Sequence, residues 1–427
     1  MFFSRLRRQR APRRVSGVTL LLPPRGKRIC YLSTYPPREC GLSTFTHDLS
    51  AAVDTLGVFS HPAVIAMHNP GLKSGPYTQE VRFLLEEGDR ESYGRAAAFV
   101  NESDIALVSL QHEYGIFGSD SAPGTWDGAY ILDFLRAVRK PVVTTLHTVA
   151  EPLNEQQRAV LAEIGRRSAR VVVMAENVVD LLAAVYHVPR EKVTFIHHGA
   201  PDVPFHGSDY FKRVFGLQNR EVLMTFGLLS PNKGVEYVLE ALRTVVKEHP
   251  EVIYLIIGAT HPVVRSAQGE AYRKFLRRRV REYRLADYVR FVNQYLTLNQ
   301  LTLYLRATNI YLAPQLDPAQ YVSGTLAYAA AFGKAIVSAS FRYATYLLAD
   351  GRGLLVPQKD AAAITDALAQ LLGNPQKKRD VEEHIYLYSR TMTWPHVASQ
   401  YADLFRKVIA EQNGQALGEP LRGGGGT

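Results

Sequence analysis

What most constrains this chain is a rhythm that runs along it twice. Short β-rich runs, "KRICYLST", "HPAVIAM", "DIALVSLQH", "PVVTTLH", "ARVVVMA" and "KVTFIHHG", alternate with amphipathic stretches such as Ser43 to Leu56, Glu155 to Arg167 and Val178 to Val185. Parallel strands need helical crossovers and are buried on both faces, so short apolar runs separated by helical periodicity specify a parallel sheet between two helix layers. The rhythm stops at "APDVPFHGSDYFKRVFGLQNR", where Pro and Gly break any period. It restarts with "EVLMTFG", "EVIYLIIG", "DYVRFV", "TNIYLAP", "KAIVSA" and "GLLVP". The expected fold class is therefore α/β: two doubly wound domains joined near residues 200 to 218. Helices over Asp360 to Leu372, Gln376 to Ser389 and Trp394 to Glu411 follow, and "GQALGEPLRGGGGT" reads as a floppy end.

At 427 residues and 46% hydrophobic content, the chain can fill two ordinary cores. It has no run of eighteen apolar residues, and "VSGVTLLL" is too short to span a bilayer, so the expected location is cytoplasmic. The net charge of +10 suggests nucleic acid until its position is considered. Nine basic residues and no acidic one lie in the first 28, leaving a nearly neutral body. That leader has two readings: a peripheral contact with an anionic membrane, at about 1 kcal/mol per basic residue, or a solvated flexible segment. "YRKFLRRRVREYR" carries helical period with Phe275, Leu276 and Val280 on one side and reads as a solvated helix face. Two cysteines, Cys30 and Cys40, make neither a disulfide framework nor a zinc quartet, and no metal site is expected.

Open α/β sheets bind ligands beyond the carboxyl ends of their strands, and two facing sheets make a cleft. Three strand-to-helix turns stand out. In "TYPPRECGLSTFTHDL", Gly41 opens a helix whose amides can approach a phosphate. A single glycine there is not the dinucleotide fingerprint G-x-G-x-x-G, which argues against a nicotinamide enzyme. In "TFGLLSPNKGVEYVLEAL", Gly227 allows a tight turn and Lys233 stands at a helix start; a plain surface lysine is the other reading. In "QYVSGTLAYAAAFGKAIV", Ser323, Gly324 and Thr325 open a helix that carries no charge before Lys334. The first amides of such a helix lack intrahelical partners, and its dipole adds about half a positive charge. A phosphate suits them, although Ser323 can also be an ordinary cap on a buried helix.

Two further places carry polar groups at strand ends. In "LQHEYGIFGSD", His112 and Glu113 are candidates for the acceptor side, with Gly115 and Gly118 letting the loop approach a ligand; a capped turn is the alternative. His197 and His198, before Gly199, read equally as a hinge or a contact.

In order and spacing, "TYPPRECGLSTFTHDL", "LHTV", "HHGAPDVP", "FGLLSPNKGVEYVLEAL", "SGTLAYAAAFGKAIVS" and "GRGLLVP" resemble the retaining glycosyltransferases of family 4. The resemblance covers about Arg28 to Glu411. It implies the GT-B fold: two Rossmann-like domains facing across a cleft, with the helix begun by Trp394 crossing back to the first. The implied organisation is a basic leader (1–26), an acceptor-side domain (27–204), a donor domain (205–393), the crossing helix (394–412) and a disordered tail (413–427). It further implies that Lys233 and the amides of Ser323, Gly324 and Thr325 hold the donor diphosphate. Gly41 and Gly227 border them, and His147 in "LHT" lies beside the transferred sugar.

The departures are informative. The family's two glutamates, eight residues apart, fall on Gln320 and Tyr328, and its arginine after the glycine falls on Leu228. Gln320 can still hydrogen-bond sugar hydroxyls, and Tyr328 can reach a ribose or stack. The missing arginine costs a diphosphate contact worth about 1.5–3 kcal/mol, which Arg342 is placed to replace. The expected activity is transfer of a hexose from a nucleotide-diphosphate sugar to a hydroxyl acceptor, saccharide or lipid-linked, with retained configuration. Catalytic roles fall on His147, Lys233 and Gln320, and no cofactor or metal is called for. GDP-mannose and then UDP-glucose are the donors expected first. The same substitutions also fit an inactive nucleotide-sugar or phosphate-binding protein of this fold.

Overall fold

A computed structural model describes residues 26–69, 75–121, 127–149 and 154–414. The leader and most of the glycine-rich tail named above lie outside the described residues. The first sheet contains β1 (Arg28–Ser33), β2 (Ser60–His68), β3 (Val81–Glu86), β4 (Ile105–His112), β5 (Val142–Leu146), β6 (Arg170–Val173) and β7 (Val193–Phe195). Its order is β3-β2-β1-β4-β5-β6-β7, all parallel. The second contains β8 (Glu221–Phe226), β9 (Val252–Ile257), β10 (Val289–Val292), β11 (Ile310–Ala313), β12 (Ala335–Ala339) and β13 (Leu354–Val356), in the order β10-β9-β8-β11-β12-β13. In each sheet the strand order reverses beside the first strand of its domain, which is where a doubly wound sheet opens a crevice.

All six runs expected after the restart are strands, but β3 in the first domain was not anticipated. Its sequence, "VRFLLE", has Arg82 and Glu86 interrupting the apolar residues, and only Leu85 is buried. A half-exposed edge strand tolerates such charges, and they hide it from a search for continuous apolar runs. The inner strands β4, β5 and β9 are buried almost throughout, as a sheet covered on both faces requires.

The two domains are held together at a double crossing. The chain leaves the first domain through Ala200 and returns at Met392 to Trp394 alongside it: the Ala200 amide donates to the Met392 carbonyl (2.8 Å), and the Trp394 amide to the Ala200 carbonyl (2.8 Å). The helix Trp394–Gln412 then buries Val397, Tyr401 and Phe405 against the first domain, where Phe405 meets Tyr31 edge-on and Tyr401 hydrogen-bonds Thr145 at 3.0 Å. The chain thus passes between the domains twice at one place, and the last helix makes the first domain depend on the far end of the chain.

Candidate active site in the interdomain cleft

On the second domain, β8 ends at Gly227, whose φ of +122° excludes most side chains. A β-carbon there would sit 3.1 Å from the Thr325 methyl and 3.9 Å from Lys233 Nζ. That places the lysine and the start of helix Gly324–Ala331 on the same side of one turn. Gly234, at φ +61°, caps the short turn that carries Lys233, and a side chain there would strike the Pro314 carbonyl at 2.1 Å. The Lys233 ammonium is half-buried, and desolvation pushes it down to about 8.

The helix Gly324–Ala331 begins as its sequence suggests. Ser323 is its N-cap, and its hydroxyl accepts from the Leu326 amide at 3.3 Å. Six of the eight helical residues are buried, which accounts for the missing charges. The Gly324 and Thr325 amides come before the first intrahelical bond and remain available to an anion. The cap and the phosphate cradle are therefore compatible.

The first domain meets this end of the helix through His198. A β-carbon on Gly324 would fall 2.9 Å from His198 Nε2, and the Nδ1 of that ring bonds the Gly199 carbonyl at 2.7 Å. Phe45 lies under it, edge-to-face with His198 (5.0 Å), His147 (4.7 Å) and Trp394 (5.4 Å). Burial lowers His198 to about 4 and holds His147 well below the ordinary imidazole range, so both rings are neutral at pH 7. His147 Nε2 faces Gln111 Oε1 at 3.0 Å, and the Gln111 amide nitrogen donates to Ser109 Oγ at 3.0 Å. The proton of His147 is thereby placed on Nε2, leaving Nδ1 as the basic nitrogen.

The other predicted residues divide. Gly41 is exposed at the start of helix Gly41–Thr55, with nothing within 4 Å of where a β-carbon would be. Gln320 is half-buried; its Oε1 accepts from Gln315 Nε2 (2.5 Å) and its Nε2 donates to the Val322 carbonyl (2.7 Å). Tyr328 is nearly buried and donates across the cleft to Asp48 Oδ2 at 3.1 Å. Arg342 lies over the Tyr321 ring, 5.1 Å from its centroid. His112 is fully buried between Tyr114 and Phe117, with neither ring nitrogen hydrogen-bonded, and burial takes it down to about 3. The Glu113 carboxylate caps its own turn, accepting from the Tyr114 amide (2.9 Å) and from Thr148 Oγ1 (2.5 Å).

Gly118 differs from expectation. A β-carbon there would lie 2.3 Å from the Glu87 carbonyl and 2.4 Å from the Tyr130 ring, so the glycine permits close packing within the protein rather than approach by a ligand. Three participants were missed: Phe45, Asp48 and Tyr295, whose hydroxyl stands 3.0 Å from Thr44 Oγ1. Phe45 and Asp48 follow Gly41 by four and seven residues, so the helical period alone places them on its face. A separate groove of about 520 Å³, lined by Arg243, Lys247 and Arg284 among others, contains none of the predicted site residues. Among the described residues no group of three His, Cys, Asp or Glu can hold a metal ion, and no helix is long and apolar enough to cross a membrane.

Comparison with known proteins bears on the same two halves. Residues 41–202 match the model of Glycosyltransferase Family 4, and residues 209–387 that of Glycosyl transferases group 1. D-inositol 3-phosphate glycosyltransferase of Corynebacterium glutamicum (strain R) is 23% identical over 64% of this chain and 68% of its own. Phosphatidyl-myo-inositol mannosyltransferase of Mycobacterium tuberculosis is 29% identical over 45% of this chain and about half, 48%, of its own. Sucrose-phosphate synthase from Thermosynechococcus elongatus superposes with a TM-score of 0.73 at 18% identity, over 90% of this chain and all of that one, so it shares the fold. The chain therefore has the GT-B fold, two facing Rossmann-like domains, and each domain matches its own glycosyltransferase family model.

Proposed function

We propose that this protein transfers a hexose from a nucleotide-diphosphate sugar to a hydroxyl acceptor with retention of anomeric configuration. The observation that carries the reading is the convergence of Gly227, Lys233 and Thr325 at one turn: an ammonium group and a helix N-terminus facing the same space. A diphosphate leaving group suits that pair. As the bond from the anomeric carbon to the phosphate oxygen breaks, negative charge grows on the diphosphate. Lys233 and the amides of residues 323 to 325 are pre-aimed at that charge, and one such donor is worth about 3–4 kcal/mol in a dry site. The acceptor oxygen bonds the anomeric carbon from the same face and passes its proton to the departing phosphate oxygen. His147, neutral and buttressed by Gln111, borders the transferred sugar, and Gln320 orders the loop that precedes the phosphate cradle. Gly41 brings a second helix N-terminus to the phosphate. Residues 112 and 113 shape the acceptor side from beneath, through the turn that Glu113 caps.

We assign the donor domain to residues 205–393 and the acceptor-side domain to 27–204, and place the enzyme in the cytoplasm, in peripheral contact with an anionic membrane through the basic residues of its leader. GDP-mannose and UDP-glucose are the first donors to test. A catalytically silent nucleotide-sugar binder is the second reading, favoured by Leu228 and Tyr328 at positions where a charged contact is expected. Thermal-shift screening against nucleoside diphosphates, followed by transfer assays with radiolabelled nucleotide sugars, separates the two. Stabilisation by one base together with turnover or donor hydrolysis, lost in Lys233→Ala, supports the enzyme. Binding that never yields product supports the silent protein, and no binding to any nucleotide refutes both.

A further inference from the structure

Helix Gly41–Thr55 is gripped from the other domain at two points one turn apart. Thr44 Oγ1 lies 3.0 Å from the hydroxyl of Tyr295, and Asp48 Oδ2 accepts from the hydroxyl of Tyr328 at 3.1 Å. The Tyr295 hydroxyl also reaches the Cys40 carbonyl, at 3.4 Å. Tyr295 comes from the loop after β10, and Tyr328 from the second turn of helix Gly324–Ala331. The Tyr328–Asp48 bond is shielded: Tyr328 is 7% exposed and the Asp48 side chain 11%. A charge-assisted bond in such surroundings is less screened than one in open water. The other Asp48 oxygen is held by His47 Nδ1 at 3.0 Å, which fixes the carboxylate in its rotamer.

Asp48 stands seven residues from Gly41, two helical turns, and Tyr328 four residues from Gly324, one turn. Each residue is therefore rigidly connected to a helix N-terminus that opens on the cleft. Deepening the transferase reading above, and resting on it, we propose that Asp48 and Tyr328 are a positioning pair: their hydrogen bond sets the distance between the two helix N-termini that embrace the donor diphosphate. Thr44 and Tyr295 are the second fastening of the same helix. The pair does not itself touch the nucleotide: Lys233 and the 323–325 amides of the second domain supply most of the binding, and the pair brings the Gly41 end of the first domain up to the reacting distance. It also gives Tyr328 a use that a glutamate there would not serve, since a carboxylate facing Asp48 repels it where a phenol donates.

The experiment compares Tyr328→Phe, Asp48→Ala, Asp48→Asn and the double variant Asp48→Ala/Tyr328→Phe in the full chain. Displacing one helix end by about an ångström is expected to lower kcat by about 10- to 100-fold. Tyr328→Phe and Asp48→Ala should each show that loss while the Kd for the nucleoside diphosphate, by calorimetry, stays within about two-fold. The double variant should be no worse than either single one, as coupled partners behave. Asp48→Asn keeps an oxygen acceptor for Tyr328 and should retain most of kcat. An unchanged kcat in the single variants, independent losses that multiply in the double, or a Kd that weakens in step with kcat each overturns the proposal. Tyr295→Phe and Thr44→Val provide the same comparison if an Asp48 variant does not fold. If the wild-type chain transfers nothing, the transferase reading has failed separately. The pair is then judged by X-ray scattering: nucleotide-induced compaction lost in Tyr328→Phe supports it, and compaction unchanged refutes it.

Discussion

Gly324 and His198 meet across the domain boundary so closely that the glycine has no room for a methyl group. A β-carbon would stand 2.9 Å from His198 Nε2 and 3.2 Å from Cε1. The ring cannot retreat, because the Gly199 carbonyl holds its other nitrogen and Phe45 supports its face. Gly324→Ala should therefore displace the start of the helix, weaken nucleoside diphosphate binding at least ten-fold and cost about 1–3 kcal/mol of stability. Adding His198→Ala should return part of the lost stability. Calorimetry and thermal melts check both statements.

Lys233 should impose a pH limit on donor binding. Its folded-state value of about 8 lies below the roughly 10.4 of a free lysine, so the folded protein loses this proton first as pH rises. Diphosphate affinity, which uses the charged form, should fall above pH 8, by up to about ten-fold one unit higher. Stability should move the opposite way between about 8 and 10.4, because there the unfolded chain binds more protons than the folded one. Titrating nucleotide affinity and chemical denaturation at pH 7 and 9 tests each sign, and Lys233→Met should remove both dependences.

The crossing helix should be indispensable to the first domain. A β-carbon at Gly199 would overlap the Trp394 indole at 2.2 Å, and Trp394 is packed on Phe45. Gly199→Ala forces the indole out of its place, and Trp394→Ala leaves a cavity that by analogy with other buried aromatic deletions costs about 3–5 kcal/mol. Both should lower the unfolding midpoint far more than a surface change on the same helix, such as His396→Ala.

Glu113 should matter through the turn it caps. Burial raises its carboxyl above the ordinary range, while the Tyr114 amide and Thr148 oppose that rise by favouring the ionised form. Glu113→Ala uncaps the turn and should cost about 1 kcal/mol of stability, the usual value of a lost cap. Acceptor KM should rise while donor KM is unchanged, which steady-state kinetics with both substrates varied will show.

Much of this was legible in the sequence, for a physical reason. A doubly wound sheet writes its signature locally: strands too apolar to face water, helices with one apolar stripe, and small or polar residues at the turns between them. Among the described residues, twelve of the thirteen strands, and the turns bearing Gly227, Lys233 and Ser323 to Thr325, follow from that local code. Only β3 escaped, because an edge strand is not obliged to be apolar. What tertiary structure alone decided is which side chains meet across the domains. His198 against Gly324, Phe45 beneath two histidines, and Tyr328 on Asp48 join residues 126, 102 or more, and 280 positions apart. Periodicity cannot encode a contact between two rigid bodies; it arises only when both sheets are folded and the last helix fixes how they face each other.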